Sequence, residues 1–134
     1  MVARAKDWMR QAEKDLSHAR RDLEDGDYEW ACFSAQQAAE KAVKALYQSL
    51  RVEVWGHSVS RMLEGLPQSF KPPPELIDRA KELDRHYLPT RYPNLHPEGA
   101  PMDYYTRNDA EKAVKDAEEI LKFCRSKIPE DELR

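Results

Sequence analysis

Apolar residues recur at steps of three and four along most of this chain, and that spacing constrains its fold more than any other feature. Such a period places the apolar side chains on one face of an α-helix. Between residues 3 and 25 the stripe comprises Ala5, Trp8, Ala12, Leu16, Ala19 and Leu23. Because no segment alternates apolar and polar residues as a half-buried strand would, the pattern predicts an all-α protein.

The same period predicts four further helices, over residues 28–51, 58–66 and 74–86 and from residue 106 onward. Residue types typical of helix ends stand at these boundaries. They are Gly26 after the first helix, Asp27 and Ser58 as N-caps, Pro74 in a first turn, and Thr106 with Asp109 as a capping box. Glycine tolerates the left-handed conformation that ends many helices, and Ser, Thr and Asp accept hydrogen bonds from free N–H groups.

A chain of 134 residues suggests one domain. We expect residues 1–128 to form an up-down bundle of about five helices, three long and two short, and residues 129–134 to form a frayed, charged tail. The second helix carries Trp30, Phe33, Val43 and Tyr47 beside its alanine stripe. A helix that is apolar on several sides either lies at the centre of its bundle or packs on a second copy, and both remain open.

Composition excludes several classes of function. The net charge of -3 argues against a broad basic face for nucleic acid, so any RNA contact should be confined to a cleft. The histidines at 18, 57, 86 and 96 lack the spacing of metal ligands, and the glycine-rich loops that hold phosphates are missing. We therefore expect no metal and no bound cofactor. Cys32 and Cys124 should be reduced, buried thiols, and the absence of a leader or membrane span predicts a cytoplasmic protein.

Residues 87–105 hold four prolines and one glycine, in the sequence YLPTRYPNLHPEGAPMDYY. Proline interrupts helices because it lacks an N–H and clashes with the preceding turn. The segment therefore predicts a long loop between the fourth and fifth helices. Loops of this length inside a compact domain are uncommon and are often functional.

Three segments in this order carry a resemblance to a known family: SAQQAAEKAVKAL at 34–46, HSV at 57–59 and LDRHYLPTRYPN at 83–94. Together with the first helix, they resemble the HEPN domain family. The resemblance implies an up-down helical bundle that is often dimeric. It also implies one of two functions. Some members are metal-independent ribonucleases, often the toxin partner of a small nucleotidyltransferase, and others bind nucleotides or partner proteins.

Arg91 and His96 fit the Arg-x4-His spacing of the ribonuclease branch. The histidine could move the proton of the RNA 2′-OH, and the arginine could hold the phosphate with its planar fork. The tyrosine at 92 and the proline at 97 depart from the ribonuclease pattern, and RYP looks more like the non-catalytic branch. The preferred hypothesis is therefore a homodimer that binds ATP, GTP, RNA or a related partner.

In that hypothesis Arg91, Tyr92 and Asn94 form the site, and His57 lies nearby. Lys41 and Lys44 would converge with His57 and Arg91 on a phosphate. Three plainer interpretations stand beside it. Glu40, Lys41 and Lys44 fit a solvated charged face, Arg91 could bond loop carbonyls or pair with Asp84 or Asp103, and His57 could help to cap the third helix. The remaining functional alternative is a non-catalytic interaction module that docks on a nucleotidyltransferase.

Overall fold

The computed structural model describes residues 3–134, which form five α-helices and no strand. The helices are α1 (Ala5–Asp25), α2 (Tyr28–Ser49), α3 (Val59–Glu64), α4 (Pro74–Asp84) and α5 (Arg107–Lys127). Single 3₁₀ turns occur at Gln68–Phe70, Pro93–Leu95, Pro101–Asp103 and Glu130–Glu132. The all-α prediction of three long and two short helices in an up-down bundle is confirmed.

Helix α2 lies at the centre of the bundle. It packs most extensively on α1 and α5, and it also contacts α3 and α4. Its alanines at 31, 35, 38 and 42 are fully buried. Alanine favours helix and lets neighbouring backbones approach closely. The central position explains why α2 is apolar on several sides, although Trp30 at its start is still 47% exposed.

Most helix ends follow the sequence prediction. Gly26 has φ of 82° and ends α1 in the left-handed conformation. Ser58 accepts the N–H of Arg61 at 3.2 Å, and Thr106 exchanges hydrogen bonds of 3.2 and 3.0 Å with Asp109. Asp27 precedes α2 as expected, but its side chain makes no capping bond. The cap position is therefore right, and the predicted role of that carboxylate is wrong.

Asp84, at the end of α4, holds the beginning of α3. Its carboxylate accepts hydrogen bonds from the backbone N–H of Val59 at 2.7 Å and of Ser60 at 3.2 Å. It also accepts from the hydroxyls of Ser58 at 3.0 Å and Ser60 at 2.6 Å. One side chain thus satisfies several donors that the start of a helix leaves free. These bonds also fix the position of His57, which immediately precedes Ser58.

Helices α2, α3 and α4 each end two residues before the predicted boundary, and the C-terminal residues also differ from the prediction. Helix α2 ends at Ser49 because Arg51 adopts φ of 60° and turns the chain away. The last residues are not frayed, since Glu132 accepts hydrogen bonds from Arg51 at 3.1 Å and from Ser49 at 3.4 Å. The Arg51 guanidinium also donates to the carbonyls of Gln48 and Ser49. Arg51 is therefore held in its left-handed conformation partly by Glu132, which lies far along the sequence and which no local pattern indicates.

The two cysteines are buried free thiols, as predicted. Burial raises the pKa of Cys32 to about 12 and also raises the pKa of Cys124. Both therefore act as small apolar residues of the core. Among residues 3–134, no helix combines the length and the apolar character needed to cross a membrane.

Candidate functional site

Arg91 lies in the loop that follows α4, and its guanidinium folds back onto that loop. Nε and Nη2 donate to the carbonyl of Tyr87 at 3.0 and 2.7 Å. No carboxylate of residues 3–134 forms an ion pair with Arg91. The plainer interpretation that Arg91 bonds a loop carbonyl is thus confirmed. The alternative in which Asp84 or Asp103 neutralises it is wrong, because Asp84 caps α3 and Asp103 accepts the N–H of Ala100 at 2.9 Å. The charge of Arg91 is thus held in position but not compensated by an acidic neighbour.

Aromatic rings surround this guanidinium. Its Cζ lies 4.3 Å from the ring centroid of Phe33, 4.9 Å from that of Tyr87 and 5.2 Å from that of Tyr92. Phe33 in turn meets Trp30 edge to face at 6.2 Å. We call Trp30, Phe33, Tyr87, Arg91 and Tyr92 the Arg91 surface. Tyr92 is 45% exposed rather than a core aromatic, so a ligand can reach this surface from solvent.

His57 adjoins the Arg91 surface through Tyr87. The two rings stack with centroids 4.5 Å apart and an interplanar angle of 17°. Nδ1 of His57 lies 3.2 Å from both carboxylate oxygens of Glu40, and the His57 carbonyl accepts the side-chain amide of Gln36 at 3.0 Å. Glu40 is only 5% exposed. The structure therefore brings His57 and Arg91 into contact with the same tyrosine ring, and His57 also contacts the buried Glu40 carboxylate.

The lysines of α2 do not form the solvated face that the sequence suggested. Lys44 Nζ binds Glu40 at 3.1 Å, and its side chain is 16% exposed. Lys41 Nζ binds Asp15 of α1 at 2.5 Å, and its side chain is 24% exposed. The prediction fails because neighbouring elements cover α2 on several sides. Lys44 shares Glu40 with His57, whereas Lys41 is engaged with α1 and does not join the Arg91 surface.

His96 belongs to a separate aromatic group. Its ring stacks on Tyr104 at 4.4 Å and meets Tyr105 edge to face at 6.4 Å. Nε2 lies 2.6 Å from the Pro89 carbonyl and must carry the proton, because a carbonyl only accepts. Nδ1 is then the nitrogen left for chemistry. Asn94 lies in the exposed turn Pro93–Leu95, and its side chain has no hydrogen-bond partner within residues 3–134.

His86, just after α4, is a half-buried histidine that no pattern in the sequence marks. Its Nδ1 is buried and has no hydrogen-bond partner in the described part of the chain. Its ring meets Tyr105 edge to face at 5.6 Å. Burial lowers the pKa of His86, because desolvation disfavours the imidazolium, although nearby acidic groups partly oppose this. The protein therefore holds His86 neutral beneath the proline-rich loop.

This burial predicts a loss of stability on acidification. The unfolded chain takes up the His86 proton near the ordinary pKa of about 6.5, whereas the folded protein takes it up only at lower pH. As the pH is lowered from the unfolded-state pKa to the folded-state pKa, the free energy of unfolding should decrease, by at most about 1.4 kcal/mol per pH unit for one proton. Urea unfolding at several pH values should show a shallower fall for His86→Phe than for His18→Gln, since His18 is exposed. Equal slopes would contradict this origin.

Comparison with known proteins identifies the family to which this fold belongs. A family model described as "HEPN domain" matches residues 5–127. The chain belongs to the HEPN domain family. This HEPN domain superposes on TT1696 from Thermus thermophilus with a TM-score of 0.92, at 47% identity over 94% of this chain and 99% of that one. The resemblance inferred from the sequence is thereby confirmed.

Two further relatives support the assignment. The HEPN domain superposes on ST0689, an archaeal HEPN homologue, with a TM-score of 0.81, at 44% identity over 94% of this chain and 98% of that one. A protein of Methanocaldococcus jannaschii, "Putative toxin MJ1304", is 30% identical over 94% of this chain and 89% of its own length.

Several residues of this surface were not recognised as such from the sequence. In the sequence, Trp30 and Phe33 indicate only a widening of the apolar face of α2, and Glu40, the partner of His57, fits only a charged face. The i, i+3 spacing of Trp30 and Phe33 was the available signal, since such residues are neighbours on a helix. Chemically, the site offers one uncompensated guanidinium, exposed rings and an adjoining histidine–carboxylate pair. Residues 3–134 contain no group of three or more His, Cys, Asp or Glu that could hold a metal ion.

Proposed function

We propose that this HEPN domain binds a nucleotide, or a nucleotide-related partner such as RNA, at the Arg91 surface and acts as a homodimer. The observation that carries the proposal is the uncompensated guanidinium held against three aromatic rings. Arginine binds phosphate with a planar fork of N–H donors, and single-stranded bases stack on aromatic rings and guanidinium planes. The surface thus combines both kinds of contact that a nucleotide needs.

Each predicted residue takes a distinct role in this proposal. Arg91 binds the phosphate, the half-exposed Tyr92 stacks on the base, and Asn94 adds a hydrogen bond from the next turn. His57 stands beside them across Tyr87. Lys44 and Lys41 contribute only at longer range, because Glu40 and Asp15 already hold their ammonium groups. A compact site of this kind is compatible with an acidic protein, since it needs one local cation rather than a basic face.

The homodimer is proposed from the exposed apolar side chains on α2 and the loop. Four of them are 45–47% exposed: Trp30, Leu88, Tyr92 and Leu95. Apolar side chains left in water at the edge of a site are typical of interaction surfaces. A second copy that covers part of them would place two Arg91 surfaces beside one another. Sedimentation analysis of the free protein tests this, with a dimer as the expected species.

Binding can be tested by thermal unfolding in the presence of ATP, GTP or a short single-stranded RNA. A ligand that binds only the folded protein stabilises it, by about 2.7 kcal/mol at 100 times its dissociation constant. We expect at least one of these ligands to raise the unfolding temperature of the wild-type protein. Arg91→Ala should abolish the rise, and Arg85→Ala should retain it, because Arg85 is an exposed arginine paired with Glu82 on the same chain segment. A rise that survives in Arg91→Ala, or none with any ligand, would refute the proposal.

A second candidate is a metal-independent ribonuclease that acts as the toxin of a pair with a nucleotidyltransferase. Two observations favour it: the M. jannaschii relative bears the name of a toxin, and His96 leaves Nδ1 for proton transfer. RNA supplies its own nucleophile, so Arg91 and His96 would suffice. RNA cleavage in EDTA that is lost in Arg91→Ala and His96→Gln is the expected result. Co-purification of a nucleotidyltransferase with a protein that neither binds nor cleaves RNA would favour the interaction-module alternative.

A further inference from the structure

We propose that His57, oriented by the buried Glu40, is a catalytic residue that takes the 2′-OH proton of an RNA strand held by Arg91. This inference rests on the proposed binding of RNA at the Arg91 surface, and it assigns the proton transfer to His57 rather than to His96. Nothing in the Arg-x4-His spacing points to His57, which lies more than thirty residues before Arg91 in the sequence. The contacts of His57 and His96 support this assignment.

Glu40 holds the Nδ1 edge of the His57 ring. Both carboxylate oxygens lie 3.2 Å from Nδ1, and the Glu40 side chain is 6% exposed. A carboxylate accepts and cannot donate, so in the neutral imidazole Nδ1 carries the proton and Nε2 keeps its lone pair. The His57 side chain is itself 56% exposed. An accessible imidazole whose other nitrogen is held by a buried carboxylate is the arrangement that orients a histidine for proton transfer.

The surroundings of Glu40 keep this arrangement in place. Lys44 binds the carboxylate at 3.1 Å and compensates its charge, and the Gln36 amide donates to it at 3.2 Å. The same Gln36 amide donates to the His57 backbone carbonyl at 3.0 Å. Tyr87 covers the imidazole ring from the loop side. The groups that face His57 therefore hold the ring from its backbone, from Nδ1 and from one flat side.

Tyr87 also places His57 within reach of the phosphate site. The imidazole centroid lies 4.5 Å from the Tyr87 ring centroid, and the Arg91 guanidinium carbon lies 4.9 Å from the same point. The two groups can therefore be no further apart than these two distances together. A ribose whose phosphate binds Arg91 would have to pass the edge of the Tyr87 ring, which contacts both groups, to reach His57. Proximity of this kind is what converts a bound phosphodiester into a reacting one.

His96 and His18 are differently placed. His96 donates Nε2–H to the Pro89 carbonyl and stacks on Tyr104, so it joins two parts of the loop. His18 also has a carboxylate neighbour, Asp22 at 3.3 Å, and is 54% exposed. It has no aromatic contact in the described chain and no link to Arg91. His18 is therefore a matched control, with similar exposure and a similar acidic partner but no phosphate site.

The reaction is a transesterification within the RNA. Nε2 of His57 accepts the 2′-OH proton while the 2′-oxygen forms a bond to phosphorus. The bond from phosphorus to the 5′-oxygen breaks, and that oxygen takes a proton from water. The products are a 2′,3′-cyclic phosphate and a 5′-hydroxyl, and His57 then returns its proton to solvent. Arg91 stabilises the charge that develops on the phosphate oxygens.

The test separates binding from cleavage. Binding is measured with a 2′-O-methyl oligonucleotide, which has no 2′-OH to attack, and cleavage with the same sequence as RNA in EDTA. We expect His57→Ala to retain binding through Arg91 and to cleave the bound RNA about 10²-fold or more slowly, in line with the usual contribution of a general base. Added imidazole should restore part of the rate. His18→Gln should cleave as the wild type, and His57→Gln should remain folded and slow.

Each outcome decides between the proposals. A wild-type protein that binds the oligonucleotide but leaves the RNA intact overturns the role of His57 and keeps the proposed binding. A protein that binds neither substrate overturns the proposed binding, and the inference with it. Full cleavage by His57→Ala, with loss in His96→Gln, transfers the proton step to His96. A slow His57→Ala that imidazole does not restore shows a positioning contact and rejects the catalytic role.

Discussion

Replacing Glu40 by alanine should lower the free energy of unfolding by about 3–5 kcal/mol, the usual effect of removing one partner of a buried ion pair. Glu40 is 5% exposed and contacts Lys44, His57 and Gln36. Its loss leaves the Lys44 ammonium largely buried and unpaired, and it removes an acceptor of the fully buried Gln36 amide. The Lys44 ammonium would then have given up water without compensation, and the Gln36 amide would keep only the His57 carbonyl as an acceptor.

Urea unfolding near neutral pH measures this effect. Glu40→Gln keeps the shape and an acceptor oxygen, so it should be less destabilising than Glu40→Ala. Glu111→Ala is the control, because Glu111 is half exposed and pairs with Arg107 across one turn of α5. Exposed pairs of that kind contribute less than about 1 kcal/mol. A Glu40→Ala protein as stable as Glu111→Ala would show that the Glu40 network adds nothing to the fold.

Asp84→Ala should destabilise the protein by about 2–3 kcal/mol, at the upper end for hydrogen bonds to a charged group. Asp84 accepts from two backbone N–H groups and two hydroxyls at the beginning of α3. Helix α3 has only six residues and depends on such bonds, because a short helix is not stable by itself. The effect should be concentrated at α3 rather than spread over the bundle.

Amide hydrogen exchange distinguishes this local effect from a general one. The backbone amides of Val59 and Ser60 should exchange much faster in Asp84→Ala. The amides in the middle of α2 exchange through global unfolding, so their rates should change only as much as the overall stability does. Asp84→Asn keeps one acceptor oxygen, so its exchange rates at Val59 and Ser60 should lie between those of the wild type and those of Asp84→Ala. Unchanged protection of Val59 and Ser60 would mean that other contacts hold the start of α3.

The helices could be predicted from the sequence because burial on a helix follows a local period. Ala5, Ala12 and Leu16 of the predicted stripe are buried in α1, although Met9 is buried in place of Trp8, and the ends marked by Gly26 and Thr106 are where the chain turns. Boundaries without a local marker were less certain. Helix α2 ended two residues early because Arg51 is held in a left-handed conformation by Glu132, which lies far along the sequence.

The site was predictable only in part. The resemblance pointed to Arg91, but the partners of Arg91 come from distant segments, and no pattern within the loop indicates Phe33. Glu40 and Lys44 have the i, i+4 spacing typical of an exposed pair, and only the central position of α2 buries them. Asp84 had two available uses, to pair with Arg91 or to cap α3. The choice depends on how α4 meets α3, which is a property of the folded chain.

The three tryptophans allow a direct test of the central claim, that Arg91 and its aromatic neighbours form the binding surface. Trp30 belongs to the Arg91 surface, whereas Trp8 and Trp55 line a separate cavity of about 160 Å³ beside Lys44. The measurement is the set of indole N–H resonances during titration with a 2′-O-methyl oligonucleotide. Saturable movement of the Trp30 resonance alone, absent in Arg91→Ala, is the predicted result. Movement of the Trp8 or Trp55 resonance while Trp30 stays fixed would contradict it.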